Sequence, residues 1–151
     1  MKEKVKIRLS LTLVIAFFLC LFIFKDDMMN AVGRGMQKSV SVAQKDSLEV
    51  AISDLYNYAQ NGQSFQYTFL EFGSVGCAAC KQMETIMEEI KESRTDVKVV
   101  FINITKADNK KLSKYFGIAA IPTQVVLDKE SKEIFRHTGY ISSKELSQNF
   151  K

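Results

Sequence analysis

The apolar positions change period several times along the chain, and each change predicts an element. From Leu9 to Phe24 the residues are apolar on all faces, interrupted by hydroxyls only at Ser10 and Thr12. From Asp26 to Lys45 the pattern weakens into Gly33, Gly35, Ser39 and Ser41 with scattered Met and Lys, which reads as a tether. A short interfacial helix over Met28 to Met36 is an alternative there. From Asp46 to Asn61, Leu48, Ala51, Ile52, Leu55 and Ala59 recur at helical spacing. Asp46 with Glu49 forms a candidate capping pair, and Asn61-Gly62 a stop. The apolar run Tyr67 to Phe72 predicts a strand. Met83, Ile86, Met87 and Ile90 then predict a helix reaching about Glu92, with Glu84, Glu88 and Glu89 on its other faces.

The second half alternates in the same way. Val97 to Ile104 is β-branched and apolar, as a buried strand requires. Lys106 to Phe116 predicts a shorter helix with Leu112, Tyr115 and Phe116 inward, stopped by Gly117. A strand over Gln124 to Asp128 and a return strand over Glu133 to His137 form a hairpin, which Gly139 ends. Ser142 with Glu145 predicts the capping box of a last helix near Phe150. The order α-β-α-β-α-β-β-α implies an α/β fold: a mixed sheet of about four strands with helices on both faces.

Chemistry concentrates at the first strand–helix junction, Glu71-Phe-Gly-Ser-Val-Gly-Cys77-Ala-Ala-Cys80. Cys77 falls at or near a helix N-terminus, where unpaired N–H groups and the helix dipole favour a thiolate. Cys80 follows three residues later on the same face, close enough to close a small disulfide ring. Such a pair supports reversible dithiol–disulfide exchange. The rival reading is half of a zinc site. A structural zinc takes four ligands, and besides the pair the chain offers only Cys20 and His137, so no metal site is expected.

The N-terminal run predicts a place in the cell. Leu9 to Phe24 falls between a signal-peptide core of about 7–15 residues and a spanning helix of about 20. Ile7 and snorkelling Lys or Arg side chains supply extra length. No small-x-small site follows closely; Ser41-Val42-Ala43 has that shape but lies far downstream. The expectation is an uncleaved anchor over residues 1–25, with secretion after cleavage as the alternative. Lys2, Lys4, Lys6 and Arg8 precede the run and only Lys25 follows closely. The remainder is therefore expected outside the cytoplasm. Cys20 would face lipid or a partner helix, without assigned chemistry.

The charge balance excludes one class of partner. The chain of 151 residues carries 21 basic and 17 acidic residues, net +4. Five of the basic and three of the acidic residues lie at or before Asp27, which leaves 16 against 14 in the remainder. A folded part so nearly neutral offers no broad basic surface for nucleic acid.

From about Asp46 to the end the chain resembles the thioredoxin family. Three features carry the resemblance: Cys77-Ala78-Ala79-Cys80 after a strand, the segment Phe116-Gly-Ile-Ala-Ala-Ile121-Pro122-Thr123, and a hairpin with Gly139 and a final helix in the family order. The domain plan is then an anchor over 1–25, a linker over 26–45 and a thioredoxin-like domain over 46–151. The resemblance implies a cis Ile121–Pro122 bond beside the cysteines, with neighbouring backbone free to pair with an extended substrate. It also places Glu71 where the family carries a buried acid, so Glu71 would take the Cys80 proton; a surface glutamate at a strand end is the other reading. Two departures stand out. Gly76 replaces the aromatic residue before the first cysteine, opening the sulfur to bulkier partners. Ala78-Ala79 supplies no charge or hydrogen bond between the cysteines. His137 reads as a surface residue of the hairpin.

The expected activity is thiol–disulfide exchange with no cofactor beyond the Cys77–Cys80 disulfide. It would act in the reducing direction on protein disulfides, with electrons from a membrane partner. The rival readings are a thiol oxidase or isomerase, and a binding module in which the thiols are incidental.

Overall fold

The computed structural model of the chain describes residues 2–150, with side chains from Ser10 onward except those of Asp26 and Asn30. Strand β1 (Tyr67–Gly73) is central in a four-stranded sheet. It pairs in parallel with β2 (Val97–Asn103) on one side and antiparallel with β3 (Thr123–Leu127) on the other. The edge strand β4 (Glu133–Thr138) runs antiparallel to β3, so the order is β2-β1-β3-β4. This is the mixed sheet that the sequence predicts.

Alternation along β1 divides the core into two layers. Leu70 and Phe72 point into one layer with Val125 and Leu127 of β3. There they meet Ile52 and Tyr56 of α3 (Val42–Tyr56), Tyr58 of α4 (Tyr58–Asn61) and Phe116, which follows α6 (Asn109–Tyr115). Phe69 points the other way with Val126, against Met83, Ile86, Met87 and Ile90 of α5 (Ala78–Ser93) and Leu146 of α7 (Ser143–Ser147). Phe69, Leu70, Phe72, Met83 and Ile90 are fully buried, and each such side chain stabilises the fold by about 1.5–3 kcal/mol relative to exposure. The period-three-and-four stripe of α5 thus faces the sheet as expected. The Ser142–Glu145 capping box that starts α7 forms with both of its hydrogen bonds.

Three expectations are corrected. The helix predicted from Asp46 begins earlier, at Val42, because Ser41 is its N-cap and accepts from the Gln44 N–H at 3.4 Å. It also ends earlier, since Asn57 leaves helical geometry and bridges Glu130; α4 then closes on Gly62, whose φ is 74°. The segment 26–45 is not an irregular tether. Helix α2 (Lys25–Lys38) occupies most of it and packs on α6, with its buried Gly33 against Gly117 just beyond that helix. A Cβ built on Gly33 would lie 2.5 Å from the Gly117 carbonyl oxygen, so the glycine that looked like linker punctuation permits backbone contact.

The N-terminal run is helical as α1 (Lys2–Ile23). Among the described residues no helix is long and apolar enough to cross a membrane, so the expected transmembrane helix is not found as such. The side chains described in this run start at Ser10, and the basic flank from Lys2 to Arg8 lies outside them. The apolar side chains after it are outward: Leu13, Phe18 and Phe22 are 64%, 64% and 70% exposed.

Candidate redox site

Strand β1 delivers the chain to the site and α5 receives it. After Gly73 the loop Ser74-Val75-Gly76 turns, closed by the Cys77 N–H donating to the Ser74 carbonyl at 3.2 Å. Cys77 is the N-cap of α5: its backbone is extended and its Sγ accepts from the Cys80 N–H at 3.2 Å. The two Cα atoms lie 5.2 Å apart and the sulfurs are joined as a disulfide. Cys77 is half-buried beside the exposed Val75 and Gly76, whereas Cys80 is 2% exposed. Once the pair is reduced, the free N–H groups and dipole of this sixteen-residue helix favour negative charge on the outer sulfur.

Gly73 makes room for the inner one. A Cβ there would lie 3.2 Å from Cys80 Cβ, 3.3 Å from its Sγ and 2.9 Å from a ring carbon of Phe101. Glycine at this point therefore lets α5 seat Cys80 directly against the end of β1. Glu71 sits two residues earlier on the same face, about 7 Å along the strand. It is fully buried. Burial pushes its carboxyl up from 4.5 to about 8, and the hydrogen bond from Gln124 partly offsets that rise. Gln124 Nε2 donates to Glu71 Oε2 at 3.0 Å, while Glu71 Oε1 has no hydrogen-bond partner among the described residues. Glu71 is thus not the surface residue of the rival reading.

The proline segment reaches the same end of the sheet. The Ile121–Pro122 bond is cis, and Pro122 leads into β3, whose first residue Thr123 pairs with Phe72 of β1. The Pro122 carbonyl accepts from the Gly139 N–H at 2.8 Å, and Thr123 Oγ1 donates to the Ala120 carbonyl at 2.8 Å. Pro122 is buried; Ile121 is half-buried and packs against the Phe72–Phe116 layer. Gly76 is exposed, with nothing within 4 Å of where its Cβ would be. His137 lies on β4, half-buried, its Nε2 3.1 Å from the Tyr140 carbonyl oxygen. Cys20 is exposed on α1, unpaired and remote in sequence from the junction.

Sequence reasoning passed over Gly73 and Gln124. A glycine at the end of an apolar strand, just before a cysteine pair, was the available signal for Gly73. Gln124 carried a weaker one, an amide at the head of an otherwise apolar strand.

Comparison with known proteins agrees with this architecture. Residues 53–151 match the family described as the thioredoxin-like domain. A Streptomyces coelicolor protein that carries the name thioredoxin 2 is 26% identical over 83 residues, 55% of this chain, and the chain spans 60% of that relative's length. Among solved structures, oxidised mitochondrial thioredoxin 3 of Saccharomyces cerevisiae superposes with a TM-score of 0.54 at 18% identity, covering 67% of this chain and 86% of that one. Thioredoxin f of spinach chloroplast gives 0.53 at 25% identity, covering 63% and 80%. The chain belongs to the thioredoxin-like family.

Proposed function

We propose that the protein is a thiol–disulfide oxidoreductase that reduces protein disulfides outside the cytoplasm while held at a membrane by α1. The observation that carries the activity is the asymmetry of the pair: Cys77 half-exposed at a helix N-terminus, Cys80 buried behind it.

In the reducing direction the Cys77 thiolate attacks one sulfur of a substrate disulfide. A Cys77–substrate bond forms and the other substrate sulfur leaves as a thiolate, which takes up a proton. The ionised form of Glu71, whose share grows as pH rises towards about 8, takes the proton of Cys80, and the Cys80 thiolate attacks Cys77 Sγ. The Cys77–Cys80 disulfide forms, the Cys77–substrate bond breaks, and the second substrate sulfur leaves as a thiolate that takes up the proton held by Glu71. The substrate gains two electrons and the protein loses two, so each cycle needs a dithiol donor to restore the pair. Extracytoplasmic compartments are oxidising, which assigns that supply to a membrane partner. The Gly76 gap admits a bulky substrate beside Cys77, and backbone beside Ile121 and Pro122 offers an edge for an extended peptide. The exposed apolar side chains of α1 support attachment to a membrane, and the Lys and Arg residues ahead of them support an outward-facing domain.

The activity is tested by mixing the reduced protein with a disulfide-bonded peptide and counting peptide thiols by mass spectrometry. Stoichiometric reduction by the native protein and none by Cys77→Ser is expected. Reduction that survives Cys77→Ser would leave the thiols incidental.

A further inference from the structure

One row of side chains crosses the sheet on the α5 side. The register places Phe101 of β2, Glu71 of β1, Gln124 of β3 and His137 of β4 side by side. Gln124 is fully buried at a position where Val or Leu would pack without an unmet polar group. A buried amide costs roughly 1–3 kcal/mol where its hydrogen bonds are not made. Its one hydrogen bond among the described residues goes to Glu71 Oε2, and its own Oε1 has no partner. Stability alone does not account for that choice.

A carboxyl with one oxygen tied is oriented: Oε2 is held by the amide and Oε1 is left open. We infer that Gln124 is a positioning residue for the resolving step, holding Glu71 Oε2 so that Oε1 is the atom that takes the Cys80 proton. This rests on the proposed role of Glu71 as proton acceptor. The buried face of α5, which packs on this side of the sheet, carries Cys80 and the apolar Met83, Ile86, Met87 and Ile90; Phe101 of β2 stands beside Glu71 in the register, and His137 stands beyond Gln124 in the row. No lysine or arginine is paired into this row, so the amide is the group that favours the carboxylate against burial.

The balance of the step is unchanged: the Cys80 proton moves to Oε1, the Cys80 thiolate attacks Cys77 Sγ, and the substrate thiolate leaves. Removing the amide takes away the one contact that favours the ionised carboxyl, and it frees the group to rotate. The rate of resolution should then need a higher pH.

The test is the single-turnover rate of mixed-disulfide resolution from acidic to alkaline pH, in native protein, Gln124→Met, Glu71→Gln and the double variant. Gln124→Met is expected to raise the midpoint by about one unit and slow resolution about tenfold at neutral pH. The initial attack by Cys77 should not change. Glu71→Gln should flatten the profile, and adding Gln124→Met to it should change nothing further. A native midpoint in Gln124→Met beside a flattened Glu71→Gln overturns this inference and leaves Glu71 in its role. A native profile in Glu71→Gln removes both. Should Gln124→Met not fold, the native protein serves: the side-chain amide resonances of Gln124 should move with the ionisation of Glu71, and fixed resonances would overturn the inference.

Discussion

Gly33 of α2 and Gly117 after α6 meet backbone to backbone: a Cβ on either would lie 2.5 Å from the other's carbonyl oxygen. Gly117 also has φ 62°, so both its conformation and its space call for glycine. Gly35, two residues along α2, has nothing within 4 Å of where its Cβ would be. The two helical glycines should therefore respond oppositely to alanine. Gly33→Ala should lose roughly 1–3 kcal/mol and lower Tm by several degrees. Gly35→Ala should gain about 0.5–1 kcal/mol from helix propensity. Thermal melts of the two variants check this; equal effects would mean that α2 does not dock on Gly117.

The buried acid makes stability fall with rising pH. Glu71 binds a proton up to about pH 8 in the folded chain but only to about 4.5 when unfolded. Below the unfolded value both states are protonated and nothing is lost. Between the two values the unfolded chain has released its proton and the folded chain has not, so stability drops with pH and levels off above the folded value. The loss is on the order of 5 kcal/mol. Glu71→Gln should escape it: near native stability in mild acid, and more stable than the native protein in mild alkali, by denaturant titration at both pH values.

Gly73→Ala should disturb closure of the disulfide. The new methyl would press on Cys80, at 3.2 Å from its Cβ, and on Phe101, which is 41% exposed and able to move. Cys80 is buried in α5 and cannot follow as easily. A displaced inner sulfur should slow the closure of the Cys77–Cys80 bond by roughly tenfold or more. Stopped-flow oxidation of the reduced protein measures it, with circular dichroism confirming the fold.

Attachment at the membrane has its own test. With a C-terminal tag on the full chain, the product should remain in carbonate-washed membranes and be cut by protease added to spheroplasts. A soluble, shortened product would mean cleavage, and a protected one the opposite orientation.

The strand–loop–helix junction was legible because its signals are local. A six-residue apolar run, two cysteines three apart and a period-three-and-four stripe all lie within one stretch of chain. The Glu71–Gln124 pair was not, because its partners stand 53 residues apart and meet only through the β1–β3 register. Gly33 misled for a related reason. A glycine in a polar helix reads as a breaker, and its use emerges only where Gly117 is brought against it. Asn57 broke a regular helical stripe because it bridges Glu130, which lies in the distant β3–β4 turn.

In the proposed cycle Cys77 attacks and Cys80 resolves. The most direct measurement reacts reduced Cys80→Ser and Cys77→Ser proteins with a disulfide-bonded peptide and reads the adducts by mass spectrometry. Cys80→Ser should accumulate a covalent Cys77–peptide adduct that a reductant releases, and Cys77→Ser should form none. An adduct on Cys80 in Cys77→Ser, with none on Cys77 in Cys80→Ser, would reverse the two roles and overturn the proposed cycle.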